Sequence, residues 1–356
     1  MTNNTLRPIR DKNLYRGYQC DVSRLSPRNA LLTPFFLPSN SIYKQLMGWK
    51  EKHFEIDNKE MSQENEESSG NRSLISAFWS KSIIMSNKLS LTGYSRSADR
   101  TGFMIKELNL FLDAGIGCYR VPQNCFITHS HVDHCFNLPM LMMGSNNMNI
   151  YAPLESIPFI DRHIETTFCL NQGHNTFDKT WYNIQGVAGS EQVNFESGGR
   201  KLTAKALQMD HTVPTLGFAF SEIRTRLRSD LVGKNGREIA LLRKNGEDVN
   251  ETYESPLFVY MGDTSIKGIH DNITQLEKHT TIIVECTFLS EDHRGTGQDA
   301  KKHIAWQELE PIIESMGHHI TWVLIHFSMR YYSKEVRCFF DECQKNNKMQ
   351  NVIPWI

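Results

Sequence analysis

Between Thr128 and His134 the chain reads Thr-His-Ser-His-Val-Asp-His, with three imidazoles and a carboxylate inside six residues. Neutral imidazole nitrogen and carboxylate oxygen are ligands that zinc takes at ~2.0–2.2 Å. The stretch follows directly on the apolar run Cys125-Phe126-Ile127, which supplies a rigid base for a turn. On an extended turn after a strand, His129 and His131 point the same way, because side chains alternate with a period of two. Asp133 and His134 then start the next turn and can face a second metal beside the first.

Three further candidates stand at the ends of apolar runs. His211 closes the run from Lys201, Asp263 follows Leu257-Phe258-Val259-Tyr260-Met261 within Gly-Asp-Thr, and His326 closes Trp322-Val323-Leu324-Ile325. Taken singly, each reads as a surface histidine or as a turn aspartate using its side chain as a local acceptor. Together with the clustered motif they read as the rest of a metal centre.

These residues need elements to position them. From about residue 74 short apolar runs alternate with amphipathic stretches, the pattern of a layered α/β fold. Strands are predicted at 88–94, 108–112, 125–128, 149–151, 201–209, 216–221, 257–261, 281–285, 321–326 and 352–355. Helices are predicted at 138–143, 154–168, 300–316 and 334–345, the third from Ile304, Leu309, Ile312, Ile313 and Met316 at helical spacing. No internal repeat is apparent. Residues 57–73 hold several acids and no aromatic or β-branched side chain, so they read as a polar linker. They set off an N-terminal extension, 1–56, from the main domain, 74–356.

With 39% hydrophobic and 22% charged residues among 356, the chain is of ordinary globular composition. A formal net charge of −1 excludes a global field that attracts polyanions, so any nucleic-acid contact must be local. The eight cysteines, at positions 20, 118, 125, 135, 169, 286, 338 and 343, include no CxxC pair. They read as reduced thiols of an intracellular protein, cytoplasmic or nuclear rather than secreted. The N-terminus lacks an apolar signal core, and no run approaches the ~18 apolar residues of a membrane span.

Flanking residues make the pattern specific. The order HSHVDH, His211, Asp263, His326 resembles the metallo-β-lactamase fold superfamily. Phe126–His134 with Leu138-Pro139, His211-Thr212-Val213-Pro214-Thr215-Leu216-Gly217-Phe218 and Tyr260-Met261-Gly262-Asp263-Thr264 are similar to motifs of the tRNase Z family. Glu285-Cys286-Thr287-Phe288, His303 and His326-Phe327-Ser328-Met329-Arg330-Tyr331 resemble its short, eukaryotic form. The resemblance runs from about Lys88 to the C-terminus. It implies a four-layer αββα sandwich with a protruding basic arm, and an enzyme that removes the 3′ trailer of precursor tRNA. It further implies two zinc ions per subunit, one on His129, His131 and His211, the other on His134 and His326. Asp263 would bridge them, and Asp133 would be a second-site ligand that also orients the attacking water. Two metals ~3.5–4 Å apart suit an in-line phosphoryl displacement.

The resemblance also assigns Glu285 and His303 to the leaving-group proton, a carboxylate fixing the tautomer of a general acid. Thr264 and Arg330 are candidates for the scissile phosphate, with a structural salt bridge the rival reading of Arg330. Residues 222–244 carry Arg224, Arg226, Arg228, Lys234, Arg237, Arg243 and Lys244 against Glu222, Asp230 and Glu238, an excess of +4. In the family the corresponding arm, here 222–245, grips the tRNA elbow through its backbone, and the short form is a homodimer. Asn137 stands where the family usually has glycine; it tolerates φ > 0 better than other non-glycine residues. The rivals are a same-fold hydrolase of a small phosphodiester or thioester, and a catalytically silent RNA-binding relative.

Overall fold

The computed structural model describes residues 78–118, 121–143, 147–297, 300–345 and 349–356. The expected extension, 1–56, and linker, 57–73, lie outside them. Among the described residues fourteen strands form two sheets of seven. The first sheet is built from β1 (Ser82–Ile84), β2 (Ser90–Arg96), β3 (Arg100–Ile105), β4 (Leu110–Leu112), β5 (Asn124–Phe126), β6 (Met148–Pro153) and β7 (Tyr182–Val187), side by side in chain order. The second runs β8 (Gln192–Ser197), β9 (Arg200–Gln208), β10 (Leu216–Leu227), β11 (Asn250–Tyr260), β12 (Thr281–Glu285), β13 (Thr321–Ile325) and β14 (Val352–Pro354). In each sheet the first four strands pair antiparallel and the last four parallel. The topology therefore repeats although the sequence does not.

Burial follows from this arrangement. β8, at an edge, alternates exposed and buried residues, whereas β12, covered on both faces, is buried throughout. Inner faces of the two sheets share a core that includes Phe103, Phe126, Phe195, Phe218, Phe220, Phe258, Tyr260 and Trp355. Phe126 sits at its centre, with ring centroids 5.0 Å from Phe218 and 5.1 Å from Phe195 and Phe220.

The helices, in chain order, are α1 (Val132–Cys135), α2 (Leu138–Met142), α3 (Ile157–Gln172), α4 (Gly236–Lys244), α5 (Ile266–Leu276), α6 (Trp306–Met316) and α7 (Ser333–Gln344). Leu138, Leu141 and Met142 of α2 and Ile160, Ile164 and Phe168 of α3 cover the outer face of the first sheet. Ile269 and Leu276 of α5, Leu309 and Ile313 of α6, and Val336 and Phe340 of α7 cover the second. This is the αββα sandwich that the resemblance implies.

Several predicted boundaries move. The expected helix 300–316 divides into a 3-10 turn at Ala300–Lys302 and α6 from Trp306. Between them Ile304 and Ala305 run extended, because Phe288 donates to the Ile304 carbonyl and accepts from the Trp306 N–H. Asn137 needs no left-handed backbone: its φ is −86°, and its amide donates to the Gly115 carbonyl. β10 and β11 outrun their predicted limits. Past a bulge at Phe220/Ser221 they continue as a two-stranded stem, Glu222–Leu227 against Asn250–Ser255, that carries α4 at its tip.

Candidate metal centre

Each expected ligand sits on a backbone segment just beyond a strand. His129 follows β5 by three residues, and α1 opens at Val132 with Asp133 and His134 in its single turn. That turn lies close against Gly115, where a Cβ would come within 1.8 Å of the Asp133 carbonyl oxygen. Asp263 follows Gly262, whose φ of +64° turns the chain after β11. His326 follows β13 and itself adopts φ +64°, a strained setting for a non-glycine residue that persists only where surrounding contacts hold it. The Ser95 hydroxyl accepts its N–H at 3.0 Å.

Four histidines are oriented alike. His134 Nδ1 donates to Asp113 Oδ2 at 2.8 Å, and His211 Nδ1 to the Lys302 carbonyl at 3.3 Å. The Thr287 hydroxyl donates to Glu285 Oε2 at 2.5 Å, so it accepts from His326 Nδ1 at 3.1 Å. The Thr128 hydroxyl, engaged with both oxygens of Asp113, stands 3.0 Å from His129 Nδ1. All four therefore direct Nε2 toward one another, the arrangement in which partners of Nδ1 fix the tautomer of a metal ligand.

What those nitrogens meet tests the fit of a metal. His134 Nε2 lies 3.4 Å from His326 Nε2, and His211 Nε2 lies 3.2 Å from His131 Nδ1. Asp263 Oδ2 is 3.2 Å from His326, 3.4 Å from His134 and 3.9 Å from His129, each at Nε2. Asp133 Oδ2 is 3.3 Å from His326 Nε2 and 3.6 Å from His134 Nε2. His129 Nε2 and Asp263 Oδ1 are buried with no hydrogen-bond partner. A buried polar atom left unpaired costs ~1–3 kcal/mol, and lone pairs facing at such distances call for positive charge between them. The donors form overlapping groups, His129/His131/His211, His129/His134/Asp263 and Asp133/His134/His326. They fit metal ions, and all seven expected ligands are brought together.

The electrostatics agree. Burial, reinforced by the charge of His134, lowers His129 well below the ordinary histidine range and keeps it a neutral donor. Burial also lowers His211. It opposes charge on His134 too, yet Asp263 and Asp113 raise that group well above its usual value; two carboxylates demand a cation there. Asp133 is raised by burial but held down more strongly by His326 and His134, to about 2.

Glu285 and His303 meet beside this cluster. Glu285 Oε1 is 2.9 Å from His303 Nδ1 and accepts the Thr264 N–H at 2.7 Å; Oε2 accepts the Ile304 N–H at 3.2 Å. The extended link before α6 thus presses His303 onto the carboxylate, and leaves it buried rather than exposed on a helix. The rings of His303 and His326 stack at 5.4 Å.

Thr264 and Arg330 are placed differently from one another. Thr264 is wholly buried, its hydroxyl accepting from the Asp210 N–H at 3.2 Å and donating to the Ser265 carbonyl at 3.1 Å. Its side chain braces the loop instead of facing the cleft. Arg330 is exposed and donates to the His293 carbonyl; among the described residues it forms no ion pair. Asp113, Thr128, Thr287 and Tyr260 join the site without having been expected there; the Tyr260 hydroxyl donates to Asp113 Oδ2 at 2.6 Å. The Asp-x-Gly at the end of β4 was the available signal for the first.

On the arm, strand periodicity puts Arg224, Arg226 and Arg228 on one face, and each is paired: with Glu222 at 2.6 Å, Glu251 at 2.8 Å and Asp230 at 2.7 Å. The returning segment adds Glu247, Asp248, Glu251 and Glu254, so residues 222–256 hold seven basic and seven acidic side chains. Positive charge gathers instead around α4, where Lys234, Arg237, Arg243 and Lys244 are exposed and, among the described residues, form no ion pair. The seven described cysteines are free thiols. No helix among the described residues is long and apolar enough to cross a membrane.

No family model matches the chain. It is similar to a chloroplastic tRNase Z of Arabidopsis thaliana, 26% identical over 69% of this chain and 70% of that protein. A second tRNase Z of the same plant is 25% identical over 69% and 88%. The ribonuclease Z of Pyrococcus abyssi is 28% identical over 51% and 62%. Among solved structures, human short-form tRNase Z aligns at 16% identity over 68% of this chain and 86% of its own, with a TM-score of 0.39.

Proposed function

We propose that this chain, a relative of the tRNase Z proteins with the metallo-β-lactamase fold, is a zinc-dependent endoribonuclease that removes the 3′ trailer of precursor tRNA. The observation that carries the reading is the convergence of seven candidate ligands, four of them buried, on one cluster with the Glu285–His303 pair alongside. His129, His131 and His211 would hold one zinc, His134, His326 and Asp133 the other, with Asp263 between them. Bound there, the two cations supply charge neutralisation at the phosphoryl group and activation of the attacking water.

The chain's own residues do the rest. Asp133, held ionised by His326 and His134, would orient the attacking water. Glu285 accepts from His303 Nδ1–H and so favours the doubly protonated ring, whose Nε2–H is the proton given to the departing 3′ oxygen. The products are then a tRNA with a 3′-hydroxyl and a trailer with a 5′-phosphate. Arg330, exposed at the loop after His326, would give a charge-assisted hydrogen bond to the substrate phosphate.

Grip on the tRNA body would come from the arm, and specifically from the four cations around α4, since the stem arginines are already paired. Such contacts give affinity without sequence readout. A homodimer, in which one subunit's arm serves the other's site, belongs to the same reading. Asp133→Ala tests it: precursor cleavage should vanish while tRNA binding persists, and undiminished turnover in that variant would sink the mechanism.

A further inference from the structure

Three loops deliver the side chains on one flank of the centre. His211 comes from the loop after β9, Asp263 from the loop after β11, and His303 from the link before α6. They meet at Asp210, whose carboxylate and backbone bond to both other loops. Lys302 Nζ donates to Asp210 Oδ1 at 2.5 Å, and the Ser265 hydroxyl donates to Oδ2. The backbone adds two bonds: the Ser265 N–H to the Asp210 carbonyl at 2.9 Å, and the Asp210 N–H to Thr264 Oγ1 at 3.2 Å. Lys302 closes the circuit, because its carbonyl accepts from His211 Nδ1 at 3.3 Å.

We infer that Asp210, Lys302 and Ser265 form a clasp that positions His211 for its metal and locks the His303 link to it. The inference rests on the proposed metal centre. The Lys302 and Asp210 side chains are 35% and 27% exposed, and an ion pair in that setting contributes little to stability. Its role is geometric. With the ammonium anchored on Asp210, the Lys302 carbonyl is held over His211 Nδ1, which keeps the lone pair of Nε2 on the metal side. Loss of the anchor frees the 300–303 segment to swing and leaves the His211 tautomer undetermined. Partners that orient a ligand in this way typically change metal affinity by about 10- to 100-fold when removed. Asp210 and Lys302 are positioning residues, since neither reaches the reacting atoms.

The test is site-resolved metal titration of the full chain by chelator competition, comparing wild type with Asp210→Asn, Lys302→Met and the double variant. The clasp predicts that one of the two sites weakens about 10- to 100-fold in each single variant while the other is unchanged. It predicts that the double variant loses no more than the worse single one, because the two act as a unit, and that Lys302→Arg restores binding. Wild-type affinity at both sites in Asp210→Asn and Lys302→Met would overturn the clasp and leave the centre intact. Failure of the wild-type chain itself to bind metal would overturn the centre and the clasp with it. Equal weakening at both sites would mark a general loss of structure and would also overturn the clasp. If Asp210→Asn does not fold, Lys302→Met alters only a part-exposed side chain and decides the question alone.

Discussion

Asp113 is the residue on which the centre depends most without contributing a ligand. It stands at the end of β4 with φ +55°, fully buried. Oδ1 accepts the Thr128 N–H at 2.7 Å, and Oδ2 accepts Tyr260 Oη–H at 2.6 Å and His134 Nδ1–H at 2.8 Å. The Thr128 hydroxyl reaches both oxygens at 3.0 Å. Every partner arrives as a donor, so Asp113→Asn preserves shape but sets an NH2 group against N–H or O–H whichever way the amide turns. In the better orientation the Thr128 bond is lost and the others lose their charge assistance. At ~1–3 kcal/mol for an unsatisfied buried donor and a further ~1 kcal/mol for the weakened pair, the cost is about 2–4 kcal/mol. Using ~2–4 °C per kcal/mol for a domain of this size, thermal melting should fall by about 5–15 °C. His134, held at Nδ1 by a neutral amide oxygen in place of a carboxylate, should bind its metal more weakly, by up to about 10- to 100-fold. Circular-dichroism melts and a metal titration read both effects. Tyr260→Phe, which removes one donor only, should cost about 1 kcal/mol. If Asp113→Asn melted within about 2 °C of wild type, a shift worth less than about 1 kcal/mol, and bound metal unchanged, the role given to this carboxylate would be refuted.

Other expectations address separate parts of the molecule. His303→Ala should lower single-turnover cleavage by about 10²- to 10⁴-fold with metal content unchanged; loss of metal instead would make His303 a ligand. Replacing Lys234, Arg237, Arg243 and Lys244 with alanine should weaken precursor-tRNA binding and flatten its salt dependence, yet spare hydrolysis of a small phosphodiester. Equal loss on both substrates would show the arm to be structural. Lys81, whose ammonium bonds the Pro354 carbonyl at 3.0 Å, is lowered by burial, and secondarily by Arg337, from 10.5 to about 8. The unfolded chain therefore holds more protons between those values, and stability should rise as pH climbs from about 8 to 10.5. The fall corresponds to roughly 3 kcal/mol, which solvent screening halves to about 1.5 kcal/mol. Lys81→Met should remove this rise in denaturant titrations at pH 8 and 10.5, and an identical rise in the variant would assign it elsewhere.

The ligand set is legible in the sequence because its chemistry is local. Three imidazoles and a carboxylate within one turn have little to do together except hold metal. His211, Asp263 and His326 each follow an apolar run that the structure makes a strand or strand end. Long-range partners are not legible. Nothing in the local sequence says that Thr287 joins His326 to Glu285, or that Tyr260 and Thr128 share Asp113. The helix expected at 300–316 begins only at Trp306 for the same reason. Its apolar spacing continues to Ile304, but pairing with Phe288 overrides the helix and so sets His303 against Glu285. α5 is missing from the predicted helices although Ile266, Ile269, Ile273 and Leu276 recur at helical spacing. The excess of +4 counted as far as Lys244 overstates the arm's charge, because the count stops before the returning segment, which adds Glu247, Asp248, Glu251 and Glu254.

Cleavage of a precursor tRNA bearing a 3′ trailer, with both new ends mapped to the nucleotide before and after metal chelation, tests the central claim most directly. The proposed chemistry predicts one cut after the discriminator nucleotide, leaving a 3′-hydroxyl and a 5′-phosphate, lost on chelation and restored by zinc. No cut by the metal-replete chain, or a cut that chelation leaves untouched, would contradict it.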